Sequence, residues 1–231
     1  MNLLGLFAKQ PVAGRVKTRL SDSLGPELAA QAAEAFLTDL VERFQRTSDC
    51  RVVCHAPGTG ESSRWFSGLV QGRYDLWPQC DGDLGERLSK FFEQAFAFGA
   101  ERVVVIGSDS PTLPKDHVDR AFEALRDHDC VLGPATDGGY YLVGHRAGNW
   151  PTFRGIAWST GYVLEQTVAR LREAKVSLAV LPPWYDVDTL ADWRMLRGHL
   201  WAQEMAGEPM DSPATRRVLG LDSARGEHVL M

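Results

Sequence analysis

The sequence predicts an α/β fold: one three-layer α/β/α domain with a mostly parallel central sheet. Three observations predict it. Apolar, β-rich runs alternate with stretches of helical period. One run, Val103-Val104-Val105-Ile106, is apolar without alternation, as in a strand buried on both faces. No internal repeat, low-complexity linker or sharp composition shift divides the 231 residues.

Each element has a local reason. Asn2–Ala8 is an apolar strand, and residues 9–25, with Pro11, Gly14 and Gly25, read as a long loop. Leu28, Ala32, Phe36, Leu40 and Phe44 recur every four residues and predict a helix over Pro26–Arg46, with Pro26 suited to its first turn. Strands follow at Arg51–Ala56 and near Tyr74–Trp77, separated by a Gly/Ser-rich turn and a short helix near Arg64–Ser67. Leu84–Phe98 is helical and stops near Gly99. After the Arg102–Ile106 strand come a helix at Asp116–Arg126 and strands at Cys130–Leu132 and Tyr140–Val143. A helix at Thr160–Arg172, a strand at Val176–Leu181 and a helix at Leu190–Leu200 complete the domain, assigned to residues 1–202. Residues 203–231 form a C-terminal extension, in which Ser212-Pro213 can open one short helix.

Composition excludes several classes. The apolar fraction is 44% and the charged fraction 24%, enough for a sizeable core and against disorder. Lys plus Arg total 25 against 30 Asp plus Glu, a net charge of −5, so no global attraction draws the chain to nucleic acid or anionic membrane. The run Leu3–Ala8 lacks a basic flank and a cleavage site, and no segment reaches 18 apolar residues. Cys50, Cys54, Cys80 and Cys130 show no framework spacing; Cys50 and Cys54 lie on one strand face, as ordinary buried thiols do, rather than forming a zinc site with His55. A cytoplasmic location with reduced thiols is expected. No partner can be assigned to His55, His117 or His145.

In parallel sheets, ligands sit at the carboxyl ends of strands. The loops there carry unusual residues. After the first strand, Lys9, Arg15, Lys17 and Arg19 fall within eleven residues around Gly14, with no acid among them. Free amides and this charge suit phosphate, although Lys17 comes three residues after Gly14 and breaks the P-loop spacing. After the buried strand, Gly107-Ser108-Asp109-Ser110-Pro111 presents a carboxylate stiffened by proline, suited to a divalent cation. The bland reading is an Asx-turn or a helix cap, but Asp116 is the better cap for the next helix. Asp137-Gly138-Gly139 is a plain turn signal whose glycines also allow a ligand close to the backbone, with Asp137 available as a base. Asp83 and Glu86 open a helix and can line a nucleotide pocket, and Trp158 can face an acceptor cavity. In Asp186-Val187-Asp188-Thr189, Asp188 or Thr189 caps the final helix, and Asp186 can complete a cation site with Asp109.

Taken in order, these loops resemble the GT-A, or nucleotide-diphospho-sugar transferase, superfamily. The resemblance rests on Phe7-Ala8-Lys9, Pro11, Gly14, Val16–Leu20, Asp83–Arg87, Gly107–Pro111, Asp137–Tyr141, Trp158–Thr160 and Asp186–Thr189, and spans about residues 2–200. More narrowly, the set is similar to the bacterial "transferase 1, rSAM/selenodomain-associated" family of proposed glycosyltransferases. It also resembles, distantly, the 2-phospholactate and molybdenum-cofactor nucleotidyltransferases. The resemblance implies a single GT-A-like (Rossmann-like) domain with a nucleotide site built from Lys9, Gly14, Arg15, Lys17, Thr18, Arg19, Asp83, Glu86, Gly138, Gly139, Tyr140 and Trp158. Mg²⁺ or Mn²⁺ would be held by Asp109 and Asp186, with Asp188 as the competing ligand, and Asp137, Lys17 and Arg19 would be catalytic. The chain departs from the usual Asp-x-Asp of glycosyltransferases at Ser110, which leaves more of the coordination to phosphates, water or Asp186.

Three functions follow. Glycosyl transfer from a nucleotide sugar to a small acceptor stands first on the family resemblance. Nucleotidyl transfer from an NTP to a phosphorylated small molecule stands second, and the basic loop favours it physically. The third is a nucleotide-binding sensor or inactive scaffold.

Overall fold

The computed structural model describes residues 1–148, 151–209 and 211–221. Part of the predicted C-terminal extension, residues 222–231, lies outside the described residues. Seven strands form one sheet: β1 (Asn2–Lys9), β2 (Cys50–Ala56), β3 (Asp75–Pro78), β4 (Arg102–Ile106), β5 (Cys130–Pro134), β6 (Tyr140–Arg146) and β7 (Leu178–Val180). Their order is β3-β2-β1-β4-β6-β5-β7. Only β6 runs antiparallel to its neighbours β4 and β5; the other pairs are parallel. The reversal at Asp137-Gly138 makes β5 and β6 a hairpin, with Ala135 N–H donating to the Gly139 carbonyl at 3.0 Å. The fold is therefore the mostly parallel α/β architecture expected from the sequence.

Strand alternation sends successive side chains of β1 to opposite layers. Leu4, Leu6 and Ala8 pack against α2 (Pro26–Phe44), α3 (Gly60–Val70) and α5 (Lys115–Ala124), through Leu37, Leu40, Phe66, Val118 and Phe122. Leu3 and Phe7 pack against α4 (Leu84–Ala97) and α6 (Val163–Glu173), through Leu88, Phe91, Phe92 and Leu171. Val103–Ile106 are buried on both faces, each worth roughly 1.5–3 kcal/mol of apolar burial. A third cluster joins α1 (Thr18–Leu24), α2 and α7 (Leu190–Met205) through Leu20, Phe36, Trp193 and Leu196. The short helix α8 (Pro213–Val218) follows Ser212 as its sequence suggested.

Four expectations need correction. The predicted loop at residues 9–25 contains α1, whose one buried side chain, Leu20, left no apolar period to read. Asp116 is not the cap of α5: Pro114 occupies that position, and Asp116 sits in the first turn, 2.7 Å from Arg120. α6 starts at Val163 because the chain before it reverses at Ser159 (φ 62), so neither Ser159 nor Thr160 caps it. α7 runs one turn past Leu200, to Met205.

The three histidines each find a side-chain partner in the core. His117 Nδ1 lies 2.8 Å from Tyr141 Oη, and His145 Nε2 lies 2.9 Å from Thr152 Oγ1. His55 stacks on Phe66 in the layer opposite Cys54. No helix among the described residues is long and apolar enough to cross a membrane.

Candidate active site

The parallel strands all end on one edge of the sheet, and two cavities open there. The first, about 720 Å³, lies between the loops that follow β1, β2 and β3. Lys9, Arg15 and Arg87 line it, with Glu61 and Asp81 opposite. Lys9 Nζ donates 2.7 Å to the Arg15 carbonyl and closes the loop on itself. Arg87 is held by Gly82 O at 3.0 Å and Gln79 Oε1 at 3.3 Å.

The second cavity, about 380 Å³, lies between the loops after β4, β5 and β7. Asp109, Asp137, Asp186 and Asp188 line it, with Arg19 and Trp158. Asp137 is exposed, and its Oδ1 accepts 2.8 Å from Gly139 N–H. Gly138 has φ +90°, and a Cβ there would stand 2.3 Å from the Gly161 carbonyl. Only glycine permits that backbone approach, which fixes the Asp137 turn against the Trp158–Gly161 wall.

Lys17 lines neither cavity and is buried against two aspartates of the second. Its φ of 47° is left-handed, unusual for a side chain of this size, and reverses the chain just before α1. The ammonium bonds Asp109 Oδ1 and lies 3.0 Å from Asp188 Oδ1, with Phe36 beneath it at 5.6 Å. The Lys17 side chain is only 5% exposed, whereas the two carboxylates are 46% and 42% exposed. A buried ammonium is tolerated only when paired. Burial works against its charge, but Asp109 and Asp188 together outweigh it, and Lys17 titrates above an ordinary lysine.

Asp186 shows the opposite balance. Its Oδ1 accepts from Ser110 Oγ. Burial, then the charges of Asp109 and Asp137, push its carboxyl up to about 7 despite Ser110 and Lys17. Val187 N–H donates 2.9 Å to Asp109 O, so the two acidic loops are tied by backbone as well. Thr189, not Asp188, caps α7, in a capping box with Asp192.

The four cations thus do not form one basic pocket. Lys9 and Arg15 face the first cavity, Arg19 the second, and Lys17 is buried against Asp109 and Asp188. The left-handed turn and the helix after it carry Arg19 away from Arg15. Thr18 is the exposed first residue of α1, and Gly14 (φ +75°) supplies only a turn in open space. Asp83 and Glu86 line neither cavity: they make the reciprocal capping box of α4, at 2.9 and 2.8 Å. They border a third, shallower cavity beside Gly85 and Phe153. Tyr140, Gly139 and Trp158 do meet at the second cavity, with Tyr140 and Trp158 edge to face at 6.4 Å. Sequence reasoning missed Gln79 and Glu61, which carry no motif; it placed Arg87 in a helix-opening stretch that can line a nucleotide pocket, and Arg87 lies in α4 and lines the first cavity.

An oxygen-only donor set suits magnesium, which takes one or two carboxylates and leaves the rest to water and phosphates. Asp109, Asp186 and Asp188 supply that chemistry in excess of the local positive charge. Among the described residues, no three His, Cys, Asp or Glu side chains are grouped to ligate one ion unaided. Any cation here would need further ligands besides these side chains.

Residues 40–160 match the family described as uncharacterised proteins conserved in bacteria (DUF2064). The 2-phospho-L-lactate guanylyltransferase of Methanopyrus kandleri is 30% identical over 151 residues, which cover 63% of this chain and 67% of that enzyme. A crystal structure from Desulfovibrio desulfuricans G20, provisionally named a nucleotide-diphospho-sugar transferase, superposes with a TM-score of 0.85 at 32% identity, over 95% of this chain and 96% of that one. A cytidylyltransferase from Leptospira borgpetersenii shares the fold (TM-score 0.52, 11% identity, 95% and 92% covered). The chain is an enzyme of the transferase class, homologous to a guanylyltransferase, and it belongs to the DUF2064 family.

Proposed function

We propose that the protein is a divalent-metal-dependent nucleotidyltransferase that binds an NTP in the first cavity and a small acceptor in the second. The observation that carries this reading is Lys17, a buried ammonium held by Asp109 and Asp188 of the second cavity. Lys9, Arg15 and Arg87 offer positive charge to a polyphosphate, and Glu61 and Asp81 offer acceptors to the donor edge of a base such as guanine. The guanylyltransferase relative supports the same donor.

In this reading an acceptor oxygen attacks the α-phosphorus. The new P–O bond forms as the bond to the β-phosphate oxygen breaks, and pyrophosphate leaves with that electron pair. Lys17 neutralises charge that develops on the α-phosphate. If the nucleophile is a hydroxyl, Asp137 takes its proton. A cation held by Asp109 with Asp186 or Asp188 would supply Lewis-acid stabilisation of the same phosphate.

Glycosyl transfer is the second reading, favoured by the indole of Trp158 beside Asp137, a pairing suited to a sugar ring. Calorimetry with GTP, ATP, CTP, UTP and nucleotide sugars, each with and without Mg²⁺, separates the two. The proposal expects an NTP, GTP first, to bind more tightly than any nucleotide sugar, with Mg²⁺ strengthening it. Tighter binding of a nucleotide sugar would overturn it in favour of glycosyl transfer.

A further inference from the structure

We infer that Arg43 of α2 and the segment entering α8 form a strap that positions the Asp109 turn, making Arg43 a positioning residue for the cation site. The inference rests on the nucleotidyltransferase reading for its consequence, not for its geometry. Arg43 bonds the back of the turn through backbone carbonyls and lines neither of the two cavities. Its Nη1 donates to the carbonyl of Pro111 and, at 3.2 Å, to that of Leu113. Its Nη2 donates to Asp211 O at 2.8 Å and to Ser212 Oγ at 2.6 Å. Ser212 Oγ in turn lies 3.3 Å from Pro111 O. One guanidinium therefore ties the turn to residues about a hundred positions later in the chain. Lysine cannot reproduce that fork.

The strap is itself anchored. Asp39, one helical turn before Arg43, accepts from Ala214 N–H at 3.0 Å and Thr215 N–H at 2.7 Å, capping the start of α8. Arg216 is 4% exposed and pairs with Glu204 at the end of α7. Thr112 Oγ1 also donates 2.8 Å to Tyr185 Oη, one residue before Asp186. The turn, with Leu113 N–H on Ser110 O at 3.0 Å, is thus tied both to the segment entering α8 and to the loop that carries Asp186. It carries both Asp109 and Ser110, and Ser110 holds Asp186. Carbonyls two to four residues from Asp109 are fixed so that two acidic loops keep one spacing. Outer contacts of this kind typically change metal affinity 10- to 100-fold when removed.

The test uses the full chain with Arg43→Met, Arg43→Lys and Ser212→Ala. Amide hydrogen exchange at Ser110, Thr112 and Leu113 needs no ligand and reads the strap alone. Mn²⁺ affinity with GTP present, by water proton relaxation, reads its consequence. Arg43→Met should speed exchange there and weaken Mn²⁺ by about tenfold or more, Ser212→Ala by about threefold, with Arg43→Lys restoring part of the loss. GTP affinity without metal should stay within about twofold, because the first cavity is remote from the strap. Unchanged exchange in Arg43→Met, or in Ser212→Ala should the first variant not fold, would overturn the strap. Faster exchange with unchanged Mn²⁺ affinity would overturn the positioning role. A wild type that takes up neither GTP nor Mn²⁺ would sink the nucleotidyltransferase reading, while exchange still judged the strap.

Discussion

The two cavities at the sheet edge differ in charge and in construction. The first is walled by Lys9, Arg15 and Arg87 against two acids; the second gathers four aspartates around Arg19. Both are assembled from loops far apart in sequence. In the basic cavity the ties go to backbone carbonyls, Lys9 to that of Arg15 and Gln79 Nε2 to that of Cys54 at 2.8 Å. In the acidic one they go to the carboxylates themselves: Ser110 reaches Asp186, and Lys17 reaches both Asp109 and Asp188. Like charges in the second cavity therefore persist only because distant side chains hold them together. In the nucleotidyltransferase proposal the donor takes the basic side, and the cation and acceptor take the acidic one.

The sharpest way to break that comparison is at Lys17. Lys17→Met removes the buried cation that holds Asp109 and Asp188 of the acidic side. We expect kcat/KM to fall by about 10³-fold or more, near 4 kcal/mol of transition-state stabilisation. A fall below tenfold would mean that Lys17 serves folding, not transfer. Asp109→Asn comes next, with a loss of about 10²–10³-fold in kcat and of the metal dependence of nucleotide binding. Metal-free GTP affinity should not fall, because Asp109 lies outside the basic cavity. Calorimetry with and without Mg²⁺ checks both halves of this prediction.

The arginines then test the assignment of each cavity. Arg15→Gln and Arg87→Gln should raise the KM for the nucleotide by about tenfold, near 1.4 kcal/mol, with kcat little changed. Arg19→Gln should leave nucleotide affinity unchanged and act on acceptor binding. If Arg19→Gln weakens the nucleotide as much as Arg15→Gln does, the two cavities form one donor site and the comparison collapses.

Most of the fold was legible because it rests on periodicity: the Val103–Ile106 run, the four-residue spacing along α2 and the turn at Asp137 each depend on neighbours in sequence. The site was legible only where a motif marks it. Asp109, Asp137 and Asp186 do converge, yet Arg19 parted from Arg15 because a left-handed Lys17 and a polar seven-residue helix redirect the chain. Nothing local announces either. Asp83 and Glu86 read as a pocket edge because a capping box and a ligand contact draw on the same residue types. Arg43 carried no signal: its acceptors are backbone carbonyls and a serine that only folding brings near.

The smallest effect is also the most specific to the acidic side. Burial, then the charges of Asp109 and Asp137, hold the Asp186 carboxyl at about 7, against about 3.9 for an aspartate in an unfolded chain. Between those values the folded protein keeps a proton that the unfolded chain has lost. The stability this group allows is therefore full below about pH 4 and declines as pH rises toward 7. A cation reverses the preference, because it favours the carboxylate and competes with the proton. Metal affinity should accordingly rise about threefold from pH 6.5 to 7.5, as the ionised fraction grows across the midpoint. Asp186→Asn should flatten that rise, and Asp109→Asn should lower the Asp186 midpoint by removing a neighbouring charge. Carbon NMR of the Asp186 carboxyl in metal-free protein reads the midpoint directly. A value near 4 would show that the acidic cavity is open to water and carries no surplus charge, and the contrast with the basic side would then lose its electrostatic meaning.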